Sequence, residues 1–278
     1  MRYEGTAQRD LFRALRERFV LRHPSASSWV LDAGSGPGRF TPILGGHRGV
    51  RPVALDIGRE MLRELWEHRA ELAPNSPAPH RVLADAFRPP FAAERFGLVA
   101  ALGNLLGSAG ADTPRLLDSL TTLVGPGGSL LLEIAPGPGE RSRYLHRLPP
   151  GSVARLLRVP PRAAVPRIAR EGYVADPPRR TREGAFRRVD PTELRAWLEA
   201  RGFRVRETVA VAPALGPDEA RLDAVGRDPK AWGNLLEVEE VLGRSPERWG
   251  SAAAVLVAAE RPRPDEEAPN APVAESEG

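Results

Sequence analysis

The chain of 278 residues contains no cysteine. That absence excludes disulfides, thiolate metal sites and cysteine nucleophiles together. Lys230 is the only lysine, so the positive charge is carried almost wholly by arginine. With no lysine after a glycine-rich loop, the GxxxxGK[ST] phosphate-binding loop is also excluded. The five histidines are scattered, with no HxH or HxxxH pair, and no metal site is expected. No apolar run approaches the roughly 20 residues of a membrane span. The opening stretch, MRYEGTAQRDLFRALRERF, is charged throughout and lacks an apolar signal region. The expectation is a cytoplasmic protein with no membrane partner.

Hydrophobic residues make up 41% of the chain, enough for a packed core, and the formal net charge is +4. A small excess of this kind fits a solvated surface as well as an anionic partner. Residues 2–22 repeat Leu11, Leu15 and Phe19 at helical spacing. Apolar strands and amphipathic helices then alternate: strands in SSWVLDAG, RPVALDI, HRVLADAF and FGLVAALGN and a fifth in GPGGSLLLEI, entered through a tight glycine turn, with helices in GRFTPILGG, GREMLRELWEHRAEL and TPRLLDSLTTLV. Continuous apolar strands alternating with helices predict a doubly wound α/β fold with a mainly parallel sheet. Ligands in such sheets bind beyond the carboxyl ends of the strands. Asp32, Asp56, Asp85 and Asn104 all fall at or just past expected strand ends.

The alternation stops after Gly139. Residues 140–190 hold thirteen arginines against five acids, with many prolines and broken helical stretches. Order returns with DPTELRAWLEARGF, where Asp190 is placed to cap a helix that Pro191 opens and Gly202 ends. A strand in FRVRETVAVAP, a helix in DPKAWGNLLEVEEVLG and a strand in SAAAVLVAAER follow, before a Pro-rich acidic tail. The expected organisation is an N-terminal helical segment (1–24), a ligand-binding core (25–139), an Arg-rich insertion (140–190), the C-terminal part of the sheet (191–260) and a disordered tail (261–278).

The glycine turn VLDAGSGPGRF carries the most chemistry. From Gly34 the dinucleotide pattern GxGxxG requires glycine at Arg39, and from Gly36 it requires glycine at Thr41; neither register fits. Asp32, two residues before the first glycine, is ill suited to a pyrophosphate and well suited to a cationic ligand. This stretch resembles motif I of the class I S-adenosylmethionine-dependent methyltransferases. The resemblance extends through VALDIG, LADAF, ALGNLLG and LVGPGGSLLLEI, in the family's order and spacing, and covers about residues 25–135.

The resemblance implies a seven-stranded sheet with its last strand antiparallel, helices on both faces, and an insertion covering the substrate side. It implies S-adenosyl-L-methionine as cofactor. Asp32, Ala33, Gly34, Ser35, Gly36 and Gly38 would lie against its methionine and ribose portion. Asp56 would accept the ribose hydroxyls, Asp85 the adenine amine, and the Ala86 N–H would serve a ring nitrogen. Ile57 and Phe87 would sandwich the adenine, and Leu102, Gly103 and Asn104 would lie under the methionine end. The implied reaction is methyl transfer by in-line displacement. The family often carries an acid where this chain has Gly97. The Asn/Asp-Pro-Pro-aromatic signature of amino-group methylation is absent at Asn104-Leu105-Leu106-Gly107.

The catalytic residue stays open. His146 and Tyr144 in the insertion, and Asn104, are candidates, and Tyr3 lies on a segment that in this family often folds over the cofactor. The arginine-rich insertion admits three readings: a lid for an anionic small substrate, an RNA-contacting surface, or a solvated basic surface. Only Tyr144, Tyr173 and Phe186 interleave its arginines, fewer aromatics than RNA-stacking modules use. A small-molecule acceptor is therefore expected. RNA methylation, or a non-catalytic S-adenosylmethionine-binding partner protein, are the alternatives. A monomer or homodimer is expected.

Overall fold

In the computed structural model, the structure describes residues 7–46, 49–72, 77–135, 173–174, 186–211, 225–250, 252 and 254–266. Helix α1 spans Ala7–Arg22. Leu11, Leu15 and Phe19 are fully or almost fully buried along it, the stripe that a four-residue repeat produces on a helix. Strand β1 (Trp29–Ala33), helix α2 (Thr41–Gly45), strand β2 (Arg51–Asp56), helix α3 (Arg59–Leu72) and strand β3 (His80–Leu83) follow. Then come β4 (Phe96–Ala101), α4 (Leu105–Ser108), α5 (Thr113–Leu123) and β5 (Val124–Ile134).

Within the Arg-rich segment, the two-residue strands β6 (Tyr173–Val174) and β7 (Phe186–Arg187) pair antiparallel. The chain continues through α6 (Pro191–Glu199), β8 (Arg204–Val211), α7 (Pro229–Gly243), α8 (Pro246–Trp249) and β9 (Ala254–Glu260).

Seven strands form one sheet in the order β3-β2-β1-β4-β5-β9-β8. Strands β1 to β5 pair parallel, and β9 runs antiparallel to both β5 and β8. This is the expected fold class, including the antiparallel last strand. The strand order reverses between β1 and β4, which makes their carboxyl ends the switch point of the sheet.

Alternate residues of each strand supply two cores. Leu31, Val53, Val99 and Leu130 pack on one face with Leu116, Leu117 and Leu120 of α5 and Leu194 of α6. Val30, Leu98 and Leu131 pack on the other with Leu11, Leu15 and Phe19 of α1 and Leu236 of α7. Every residue of β4 is buried, as a central parallel strand covered on both faces requires.

Local chemistry sets the later helices. Asp190 caps α6, its Oδ1 accepting from the Thr192 N–H at 2.7 Å and the Glu193 N–H at 3.4 Å. Asp228 caps α7 in the same way, accepting from Lys230 at 2.9 Å and Ala231 at 3.3 Å. Each satisfies backbone donors that a helix start leaves unpaired.

Three local expectations are corrected, and one stretch gains structure that the sequence pattern does not assign. The second helix is only Thr41–Gly45, because residues 34–40 are taken up by the glycine turn. The glycine turn expected before the fifth strand is part of that strand, which begins at Val124. Residues 105–108 and 110–112, to which the sequence pattern assigns no element, form two short helical turns. Within the Arg-rich segment, the described residues 173–174 and 186–187 are extended and paired rather than helical.

Gly97 also has a physical reason. A Cβ there would run into the backbone N of Ser27 and the hydroxyls of Ser25 and Ser27. The Gly97 carbonyl accepts the Ala26 N–H at 3.3 Å. The 25–27 turn lies so close to β4 that the acid common in the family has no room.

Candidate functional site

The carboxyl ends of β1, β2, β3 and β4 bring the sequence-singled residues to one edge of the sheet. The Gly34 and Ser35 N–H groups both donate to the Leu55 carbonyl, at 2.8 and 3.0 Å, so the turn after β1 folds over the end of β2. The Gly36 N–H donates to Asp56 Oδ2 at 2.8 Å, and the Gly58 N–H to Asp56 Oδ1 at 2.7 Å. Asp56 therefore ties the turn to the start of α3. Each carboxylate oxygen has capacity for a second donor.

The three glycines of the turn differ in what surrounds them. A Cβ on Gly34 would lie 2.7 Å from Leu105 Cδ1, and one on Gly38 2.6 Å from Leu65 Cγ. Those two are glycines because side chains from α4 and α3 fill the space. Gly36 has φ +53° and nothing within 4 Å of an added Cβ. It is the glycine whose bare backbone borders open space.

Asp32 lies behind the turn with 2% of its surface exposed. The Thr41 hydroxyl donates to its Oδ2 at 2.6 Å. Burial pushes the Asp32 carboxyl up to about 7; the Thr41 hydrogen bonds oppose the shift and the nearby Asp56 charge adds to it. Ala33 and Ser35 are buried beside it.

Asp85 is exposed, and its Oδ1 accepts the Phe87 N–H at 2.9 Å in a turn closed on itself. The Ala86 N–H carries no hydrogen bond among the described residues. Ser119 holds this turn by donating to the Phe87 carbonyl at 2.9 Å. Ile57 is 75% exposed directly after Asp56, a large apolar side chain open to solvent at a strand end.

Leu102 is buried, while Gly103 and Asn104 take left-handed conformations with φ of +68° and +66°. Asn104 Oδ1 accepts the Ala135 N–H at 3.0 Å, bracing the end of β4 against that of β5. His146, Tyr144 and Tyr3 lie outside the described residues. No group of three or more potential metal ligands occurs among the described residues, and no described helix is long and apolar enough to cross a membrane.

Three residues at this edge are not among the sequence candidates. Thr41, 1% exposed, holds Asp32. Glu133, 4% exposed near the end of β5, accepts from Arg16 of α1 at 2.9 and 2.7 Å and from the Gly103 N–H at 3.2 Å. Burial pushes the Glu133 carboxyl up, but Arg16, the Gly103 N–H and the Arg39 charge outweigh it and hold it below the usual glutamate range. A lone acid inside the apolar run SLLLEI was the available signal for Glu133, since a buried charge requires a partner. Nothing in the local pattern marked Thr41 or Arg16.

A family model described as a methyltransferase domain matches residues 3–208, well over half of the chain. The chain belongs to this methyltransferase family, and its fold is that of the class I S-adenosylmethionine-dependent methyltransferases, whose cofactor is S-adenosyl-L-methionine. Among solved structures it is similar to an S-adenosylmethionine-dependent methyltransferase from Methanosarcina mazei, at 16% identity and a TM-score of 0.56, covering 88% of this chain and 97% of that one. It is also similar to magnesium protoporphyrin IX methyltransferase from Synechocystis PCC 6803 with bound S-adenosylhomocysteine, at 14% identity and a TM-score of 0.52, covering 91% and 86%. A third is the Burkholderia thailandensis 1,6-didemethyltoxoflavin-N1-methyltransferase, with bound 1,6-didemethyltoxoflavin and S-adenosylhomocysteine, at 16% identity and a TM-score of 0.50, covering 93% and 80%. At these identities the likeness is one of fold. No curated protein sequence matches the chain significantly.

Proposed function

We propose that this chain binds S-adenosyl-L-methionine across the carboxyl ends of β1 to β4 and transfers its methyl group to a small-molecule acceptor. The observation that carries the reading is the Gly36–Asp56 pair: a glycine bordering open space, hydrogen-bonded to a carboxylate that retains acceptor capacity. A ribose diol needs two acceptor positions side by side, and Asp56 has one left on each oxygen.

The neighbouring residues fit the rest of the cofactor. The exposed Ile57 and the half-buried Phe87 offer apolar faces for adenine. Asp85 has a free Oδ2 for the exocyclic amine, and the unengaged Ala86 N–H suits a ring nitrogen. The turn Asp32, Ala33, Gly34, Ser35, Gly36 and Gly38 would hold the methionine and ribose portion, with the Asp32 charge opposite the cationic end. Leu102, Gly103 and Asn104 would form the floor beneath that end.

When bound, the cofactor supplies both an electrophilic methyl and its leaving group. What remains for the protein is alignment of the acceptor in line with the methyl and sulfur, from which most of the acceleration can come. A deprotonated amine needs no base, whereas an oxygen acceptor benefits from one. Asn104 spends its carbonyl oxygen on Ala135, which favours a bracing role for it. Tyr144 and His146 stay as base candidates.

Residues 140–190 are placed by this proposal as a cover for the acceptor side. The chain leaves the carboxyl end of β5 after Ala135 and returns to it, where the Val189 N–H donates to the Ala135 carbonyl at 3.2 Å. Two of the structural neighbours are small-molecule methyltransferases, which supports the acceptor class by analogy of fold. Incubation with methyl-tritiated S-adenosylmethionine tests it: a metabolite extract should be labelled and total RNA should not. Label in RNA would reassign the acceptor. Label in neither pool, with tight cofactor binding, would favour a non-catalytic partner protein.

A further inference from the structure

We propose that Glu133 is a positioning residue that couples docking of the N-terminal helix α1 to occupancy of the cofactor cleft. The inference rests on the cofactor reading above. One carboxylate joins two separate parts of the chain. Its Oε1 accepts Arg16 Nη2 at 2.7 Å, while Oε2 accepts both Arg16 Nε at 2.9 Å and the Gly103 N–H at 3.2 Å. Arg16 is on α1, and Gly103 is in the left-handed turn that forms the floor of the cleft. The ion pair is largely enclosed, with side-chain exposures of 13% for Arg16 and 5% for Glu133.

The arrangement has the chemistry of a switchable contact. A two-pronged guanidinium–carboxylate pair fixes orientation as well as distance. Arg16 Nη1 also donates to the Phe12 carbonyl at 3.1 Å, so the guanidinium is held against its own helix. The Gly103 N–H opens a turn whose next residue, Asn104, is left-handed without being glycine, a backbone shape that persists only where its surroundings hold it. Glu133 supplies one hold and the Asn104–Ala135 hydrogen bond supplies the other. If α1 lifts, Glu133 is left as a buried charge without its hydrogen-bonded cation, offset only by the Arg39 charge, and the floor of the cleft loses a partner that sets it.

Coupling of this kind is reciprocal: whatever stabilises the floor must stabilise the docked helix by the same factor. S-adenosylhomocysteine is the probe, because it occupies the cleft without turnover. Amide hydrogen exchange across residues 7–22 is measured with and without it, alongside its calorimetric Kd, for wild type, Glu133→Gln and Arg16→Lys. In wild type, the ligand should slow exchange in α1. Glu133→Gln keeps an acceptor for Gly103 but loses the charge. It should weaken binding about 10-fold, within the usual range of site coupling, and abolish the ligand-dependent part of α1 protection. Arg16→Lys, which keeps the charge and loses the fork, should fall between.

A merely structural role would lower protection equally in free and bound protein and leave the ligand-dependent difference intact; that result overturns the proposal, as does an unchanged Kd in both variants. Failure of wild type to bind S-adenosylhomocysteine would instead overturn the cofactor reading, and this proposal with it.

Discussion

The Gly36 N–H points at Asp56 Oδ2 from 2.8 Å, joining the turn after the first strand to the acid that ends the second. Around that bond the three glycines of the turn divide by cause. Gly34 and Gly38 make room for Leu105 and Leu65, whereas Gly36 borders open space. Gly36→Ala should therefore cost little through packing but ~1–3 kcal/mol through its left-handed backbone, and should weaken S-adenosylhomocysteine binding at least tenfold. Gly38→Ala should lower the melting temperature further, because it adds a clash with Leu65 to a similar backbone penalty. Calorimetry and thermal unfolding of the two variants separate the effects.

Asp32 carries a pH dependence. Its carboxyl, ordinarily near 3.8, is raised to about 7 by burial in the folded protein. A raised acid favours folding most below its unfolded value, and that advantage is lost as pH rises through the folded value. Stability should fall between about pH 4 and pH 7, by on the order of 4 kcal/mol at most, given about 1.4 kcal/mol per pKa unit. Asp32→Asn can still accept from Thr41 and should be the more stable protein at pH 8. A cationic ligand favours the ionised carboxylate, so affinity for S-adenosylmethionine should rise with pH through about 7 in wild type and stay flat in Asp32→Asn. Calorimetry at pH 6 and pH 8 reads the difference.

Glu207 acts with the opposite sign. Burial raises its carboxyl, but His23 at 2.9 Å, Arg22 at 3.3 Å and Arg244 at 3.1 Å outweigh that and bring it down to about 2. The stability it lends is present above about pH 4.5 and is lost as pH falls through about 2. This cluster ties the end of α1 to β8 and α7. Glu207→Gln should flatten the acid limb of a melting-temperature profile between pH 5 and pH 2.

Restoring the acid that relatives often carry in the fourth strand should harm this chain. Gly97→Asp places a side chain against Ser25 and the backbone of Ser27. It should cost ~1–3 kcal/mol of stability as overpacking. Thermal unfolding checks it, and an unchanged melting temperature would mean that the 25–27 turn moves aside freely.

What was legible in advance followed from periodicity. The apolar run of β4 and the acids closing β1 and β2 announced a parallel sheet with a ligand edge, because a strand buried on both faces has no polar residues to spare. The turns at 105–112 were too short to show a helical repeat. The distinction among the glycines depends on Leu65 and Leu105, which arrive from other helices. Glu133 was visible as an acid in an apolar strand, yet its partner Arg16 lies 117 residues away, a separation no local pattern spans. The need for glycine at 97 arises from the 25–27 turn packed against it, a contact between segments about 70 residues apart that no local pattern marks.

The central claim is that Asp56 and the turn it holds bind the cofactor. It is tested most directly by calorimetric titration of S-adenosylhomocysteine into wild type and Asp56→Ala at pH 8, with melting temperatures as a folding control. Two hydrogen bonds to a carboxylate at ~1.5 kcal/mol or more each predict saturable one-to-one binding by wild type and a loss of about 100-fold or greater in the folded variant. No binding by wild type, or equal affinity in the two proteins, would contradict the account.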